Sequence, residues 1–123
     1  MQWRIVYGHH PVYTSGLHVN ERRIAVLRRD LLPVLSEGKV DLLISGHDHD
    51  MEHLAAPDGK MDFLIAGSGG AELREAGAAQ PHSQFFAVRY GFLDVTIDPR
   101  HLEAQFLSDD LSPLDPQPLN RAR

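Results

Sequence analysis

A mixed α/β fold, a βαβ unit followed by antiparallel strands, is predicted from three features of the 123-residue sequence. Two short apolar runs each stop at a histidine-containing loop, an amphipathic helical stretch lies between them, and beyond residue 50 the pattern changes to short strands separated by turn sequences.

The first run, Gln2 to Tyr7, is β-branched and aromatic and leads into Gly8-His9-His10-Pro11, which reads as a strand ending in a loop. From Val19 to Glu37 the apolar residues Ile24, Leu27, Leu31, Val34 and Leu35 recur near the helical period. Asn20 stands where an N-cap belongs and Gly38 where a C-terminal cap belongs. Pro33 removes a backbone bond, so a kink or a break into two helices is expected near Arg29 to Pro33. Val40 to Ser45 is nearly all apolar, as a strand buried on both faces would be, and it stops at Gly46-His47-Asp48-His49. A strand, helix, strand order predicts a right-handed crossover and parallel strands, so both histidine loops should leave the same carboxyl edge of one sheet.

Met51 to Ala56 and Met61 to Ala66 flank Pro57-Asp58-Gly59-Lys60 and read as an antiparallel hairpin. Gly67-Ser68-Gly69-Gly70 then runs into a small-residue stretch, Ala71 to Ala79, with the composition of a mobile surface loop. Gln84 to Tyr90, Phe92 to Ile97 and Leu102 to Leu107 read as three strands of a meander. Residues 1–107 are thus assigned to the domain. Residues 108–123, with Pro113, Pro116 and Pro118, are expected to form a tail or strap.

Composition narrows the function. A hydrophobic fraction of 42% with 24% charged residues is that of an ordinary globular chain, and the formal charge of −5 argues against a nucleic-acid binder working through a basic face. Arg22, Arg23, Arg28 and Arg29, at helical spacing beside Glu21 and Asp30, read as a solvated face. No apolar run approaches the roughly 18 residues of a membrane span, so no membrane partner is expected. Without cysteine, any metal must be held by His, Asp or Glu.

If Gly46-His47-Asp48-His49 is extended, His47 and His49 share one side and Asp48 points away. His9 sits at the matching end of a strand expected about 4.8 Å away, so the three imidazoles would converge as a ligand set suited to zinc or a similar borderline metal. Gly8 and Gly46 would supply the tight turns that present these side chains. His10 is a candidate pocket residue, and His10 and His53 each neighbour a ligand candidate and could orient one. His18, His82 and His101 have the ordinary reading of polar surface residues.

Val6-Tyr7-Gly8-His9-His10-Pro11-Val12-Tyr13 resembles the penultimate motif of the calcineurin-like phosphoesterases, and Ser45-Gly46-His47-Asp48-His49-Asp50 resembles their last motif. The intervening Leu31 to Leu35 and Val40 to Ser45 are similar to the helix and strand that join those motifs in purple acid phosphatases. Gly67-Ser68-Gly69-Gly70 resembles the loop that follows there. The resemblance is firm from Arg4 to Ala71 and weaker from Phe85 to Leu107. It implies the carboxyl-terminal portion of a four-layer αββα sandwich, with His9 and His47 on one metal and His49 on a second. The implied ions are iron, zinc or manganese, and the implied reaction is hydrolysis of a phosphate-ester substrate by a metal-activated water attacking in line.

The earlier family motifs, which supply a bridging aspartate, an asparagine and further carboxylates, are not in the sequence. Its asparagines are Asn20 and Asn120, and no Gly-Asp pair occurs. The expectation is therefore a truncated portion, inactive alone, of a metal-dependent hydrolase. The alternative is a non-catalytic metal-binding or self-associating remnant, and an exposed sheet edge would favour a homo-oligomer. A mononuclear zinc hydrolase using His9, His47 and His49 is a third reading.

Overall fold

A computed structural model describes residues 2–123. In chain order the elements are β1 (Ile5–Tyr7), α1 (Arg22–Glu37), β2 (Leu42–Ser45), β3 (Met51–Ala55), β4 (Asp62–Ala66), β5 (Ser83–Ala87), β6 (Gly91–Ile97), β7 (His101–Ser108) and β8 (Leu119–Ala122). They form a five-stranded sheet in the order β1-β2-β4-β3-β5 and a three-stranded sheet in the order β6-β7-β8.

The βαβ unit is present as expected. β1 and β2 pair in parallel with Ile5 opposite Leu42 and Tyr7 opposite Ile44, and β2 pairs in parallel with β4. The bond from Gly8 N–H to the Ile44 carbonyl and that from Gly46 N–H to the His9 carbonyl carry the pairing past the strand ends. Both histidine loops therefore leave one edge together.

Side-chain alternation divides the first sheet between two cores. On the helix side, Leu43, Phe63 and Ile65 join Val12, Leu35, Val40 and Leu54, with Leu27, Leu31 and Leu32 of α1 packed against them. On the other side, Leu42, Met51 and Leu64 meet Leu102, Ala104, Phe106 and Leu119 of the second sheet. Each of the larger of these side chains contributes about 1.5–3 kcal/mol by leaving water. The layers are helix, sheet and sheet, which are three of the four in the expected sandwich; among the described residues no helix covers the outer face of the second sheet.

Several local expectations are corrected. α1 is one helix with Pro33 inside it, not two; it begins after Glu21 rather than Asn20, and Val34 is exposed instead of joining the apolar stripe. Gly38 takes the C-cap position, but it is Lys39 that adopts the left-handed conformation, at φ 51°. β5 does not join a meander with β6. It pairs antiparallel with β3, where Phe85 stacks on Phe106 of the facing sheet with ring centroids 5.4 Å apart.

The proline-containing segment after residue 107 is tied down. Asp115 accepts the Phe106 N–H at 3.1 Å, and β8 pairs antiparallel with β7. Its Arg121 reaches back to Asp62 of β4 at 2.5 Å. The stretch Ala71 to Ala79 is likewise held: Gly77 N–H bonds the Ser15 carbonyl at 2.8 Å, and Gly16 pairs with Ala76.

Candidate metal centre

The two strand ends bring five polar side chains together. His47 Nδ1 lies 3.2 Å from His9 Nε2, and the His10 ring is 4.4 Å from that of His47. His9, His10 and His47 each offer a ligand atom within 4.8 Å of the others. A second group, His18, Glu21 and His47, meets the same limit and shares His47.

The segment that presents them is not extended. His47 has φ 71°, so the chain turns out of the strand line at that residue, and the turning is done by His47 rather than by Gly8 or Gly46, neither of which has positive φ. The alternation expected for residues 46 to 49 therefore fails. His49 joins neither ligand group; its Nδ1 lies 2.5 Å from the Glu72 carbonyl, to which it must donate.

Asp48 points into the protein, not merely away from the site. It is fully buried, accepts from the Thr14 hydroxyl, and takes both the backbone N–H of His18 at 3.1 Å and its Nδ1 at 2.5 Å. His18, expected on the surface, is thereby turned against the cluster, its ring 4.1 Å from that of His47. Arg74 Nη1 lies 3.3 Å from its other nitrogen.

Beneath lies a run of buried acids. Glu52 is satisfied by Ser15 N–H at 2.7 Å and the Ser83 hydroxyl at 2.6 Å. Asp50 is fully buried with neither oxygen bonded, and burial, followed by the charges of Asp48 and Glu52, pushes its pKa up to about 7. Gly16 sits against this floor because a β-carbon there would collide with the Asp48 and Asp50 carboxylates.

At the rim, His47 Nε2 lies 2.8 Å from Glu21 Oε2, and this hydrogen bond holds the Glu21 carboxyl below its ordinary range. Arg23 donates to His10 Nε2 at 3.1 Å. Burial, then His47, His9 and Arg23, lower the pKa of His10, which favours its neutral form. His53 has no part in the cluster: it is buried in β3 and bonded through Nε2 to Asp62 at 2.8 Å. His82 and His101 are exposed.

Comparison with known proteins bears on the family and the fold. Residues 1–51 match the calcineurin-like phosphoesterase family. The chain is 32% identical over 108 residues to purple acid phosphatase 3 of Arabidopsis thaliana, an alignment covering 85% of the chain and 29% of that protein. GAP50, described as the anchor in the inner membrane complex of Plasmodium, superposes with a TM-score of 0.84 at 30% identity over 98% of this chain and 37% of that one. The purple acid phosphatase PPD1 of yellow lupin seeds superposes with a TM-score of 0.85 at 22% identity, covering 98% of this chain and 25% of that one. The chain spans under a third of the length of the curated relatives it matches. In sequence and in fold, then, the chain belongs to the calcineurin-like phosphoesterases, as a purple-acid-phosphatase-like portion of that fold.

Proposed function

We propose that the complete protein hydrolyses phosphate esters at a two-metal centre to which this chain contributes His9 and His47 on one ion and His49 on the other. The observation that carries the reading is the opposition of His9 Nε2 and His47 Nδ1 at 3.2 Å. Two neutral imidazole nitrogens that close share a single proton, and a borderline cation such as zinc or iron(II) is the natural replacement for it. The donor set therefore fits a metal.

The ligand tautomers are set by neighbours, as ligating histidines require. His49 donates from Nδ1 to the Glu72 carbonyl, which leaves its Nε2 as the lone-pair atom. Asp48 anchors His18 through Nδ1, which turns its Nε2 as an acceptor toward Arg74 Nη1 beside the histidine cluster. Arg74 adds positive charge at the same mouth, where an anionic ester would be oriented. When bound, the metal pair supplies acidity to the attacking water and neutralises charge developing on the phosphoryl oxygens. The carboxylates that such a pair needs belong to family motifs outside these 123 residues.

The test is expression of the reading frame extended upstream through those motifs, with p-nitrophenyl phosphate as substrate. Turnover that falls by at least a hundredfold in His9→Ala, His47→Ala and His49→Ala is expected. An extended protein whose turnover survives all three substitutions would end this reading.

A further inference from the structure

We propose that Glu21 is a positioning residue for His47: its carboxylate holds the imidazole with the proton on Nε2, and so presents Nδ1 toward His9 as a metal-ligand atom. The inference rests on the metal-centre reading above and adds to it a residue that the histidine motifs do not contain.

The first support is the direction of the ring. His47 has two nitrogens and two partners, Glu21 Oε2 at 2.8 Å from Nε2 and His9 Nε2 at 3.2 Å from Nδ1. A carboxylate only accepts, so Nε2 carries a proton, and in the neutral ring that metal ligation requires Nδ1 is then the lone pair. This is the carboxylate–histidine arrangement by which ligating imidazoles are oriented and made more basic.

The second support is what Glu21 does not do. It occupies the N-cap of α1, with φ −66° and ψ 128°, a position that favours Ser, Thr, Asp or Asn because a short side chain can accept from the first free N–H groups. Glu21 makes no such capping bond, and no acid in the first turn complements the helix dipole. Its side chain reaches away from the helix to His47.

The third support lies at the other end of the bond. His47 is a non-glycine residue in the left-handed region, a conformation that costs energy and persists where surrounding contacts hold it. An uncapped helix and a strained histidine thus meet in one contact. Each is unfavourable locally, and both are accounted for if the ring must face His9.

Glu21 is also near enough to His18 and His47 for direct ligation, and the test separates the two roles. Zinc binding to the full chain is measured by calorimetry for the wild type, Glu21→Ser, Glu21→Gln and the double variant His9→Ala with His47→Ala. Glu21→Ser should bind zinc about 10–100-fold more weakly. Its metal-free melting temperature should be no lower, because serine is the better cap. Glu21→Gln, which can still accept from Nε2, should recover most of the affinity. Nitrogen-15 spectra of the metal-free chain should show His47 protonated at Nε2, and a mixture of tautomers in Glu21→Ser.

Undiminished zinc affinity in Glu21→Ser, with binding still lost in the histidine double variant, would overturn the role of Glu21 and leave the metal centre standing. A Glu21→Gln loss as large as that of Glu21→Ser would replace positioning by direct ligation. Zinc binding unaffected by the histidine double variant, or no zinc binding by the wild type, would overturn the inference for this chain, and the upstream-extended protein then decides the metal centre separately.

Discussion

Asp48, with no solvent exposure, holds His18 Nδ1 at 2.5 Å across thirty residues of chain. The same carboxylate takes the Thr14 hydroxyl and the His18 backbone, so one side chain fixes the loop that follows the first histidine motif. Asp48→Ala should cost about 3 kcal/mol or more in urea denaturation, since hydrogen bonds to a buried charge are lost and their donors are stranded. Asp48→Asn, which keeps one acceptor, should cost distinctly less. Equal and small losses would mean that the loop is held by its other contacts.

Asp50 sets a pH dependence of opposite sign to the usual carboxylate. Its folded pKa of about 7 lies above the ordinary value of 3.8, so the folded chain binds this proton more tightly than the unfolded chain does. Its contribution is fully present below about pH 4 and is lost as pH rises through about 7. Asp50→Asn should stabilise the chain at pH 8 and remove the decline between pH 4 and 7. A variant with the wild-type pH profile by thermal denaturation would refute the assignment.

The chain by itself should bind no more than one divalent ion and hydrolyse p-nitrophenyl phosphate no faster than buffer. Two cations a few ångströms apart repel strongly, and neutral imidazoles do nothing to offset that. Two of the three buried carboxylates beneath the cluster are turned elsewhere, Asp48 to Thr14 and His18 and Glu52 to Ser15 and Ser83, and the third, Asp50, is sealed from the site by complete burial. Calorimetry giving two tightly held ions per chain would contradict this.

Gly67 admits no side chain. A β-carbon there would fall on the Asp48 carbonyl oxygen, a backbone atom that cannot swing aside. Gly67→Ala should destabilise by about 3 kcal/mol, the upper end of the overpacking range, and displace the Asp48 and His49 loop. Gly69→Ala, with nothing nearby, is the matched control and should be close to neutral by the same measurement.

What the sequence disclosed depended on the range of the physics behind each feature. The β1-α1-β2 unit and the β3-β4 hairpin were legible because periodicity and turn chemistry act over a few residues. His9 and His47 came together because parallel neighbours share an edge. The roles of His18, Glu21 and Asp48 were not legible, since a polar residue in a loop carries no periodic signal and its burial depends on where the loop docks. Glu21 had one faint signature, an N-cap position held by a poor capping residue. The pairing of β5 with β3, and of β8 with β7, was hidden for the same reason: short strands do not announce a distant partner.

The parallel pairing of β1 with β2 also bears on the order in which the molecule is made. His9 and His47 are 38 residues apart in sequence, and β1 is only three residues long. The β3-β4 hairpin closes a short loop and can form early, whereas β1 can add only after α1 has carried the chain across the sheet. Refolding followed by pulsed hydrogen exchange should therefore protect the Ile65 amide, which faces β3, before the Gly8 amide, which bonds Ile44. The cluster at the strand ends would then be assembled last, on a scaffold already rigid, and the chain would acquire its chemistry only at the final step of folding.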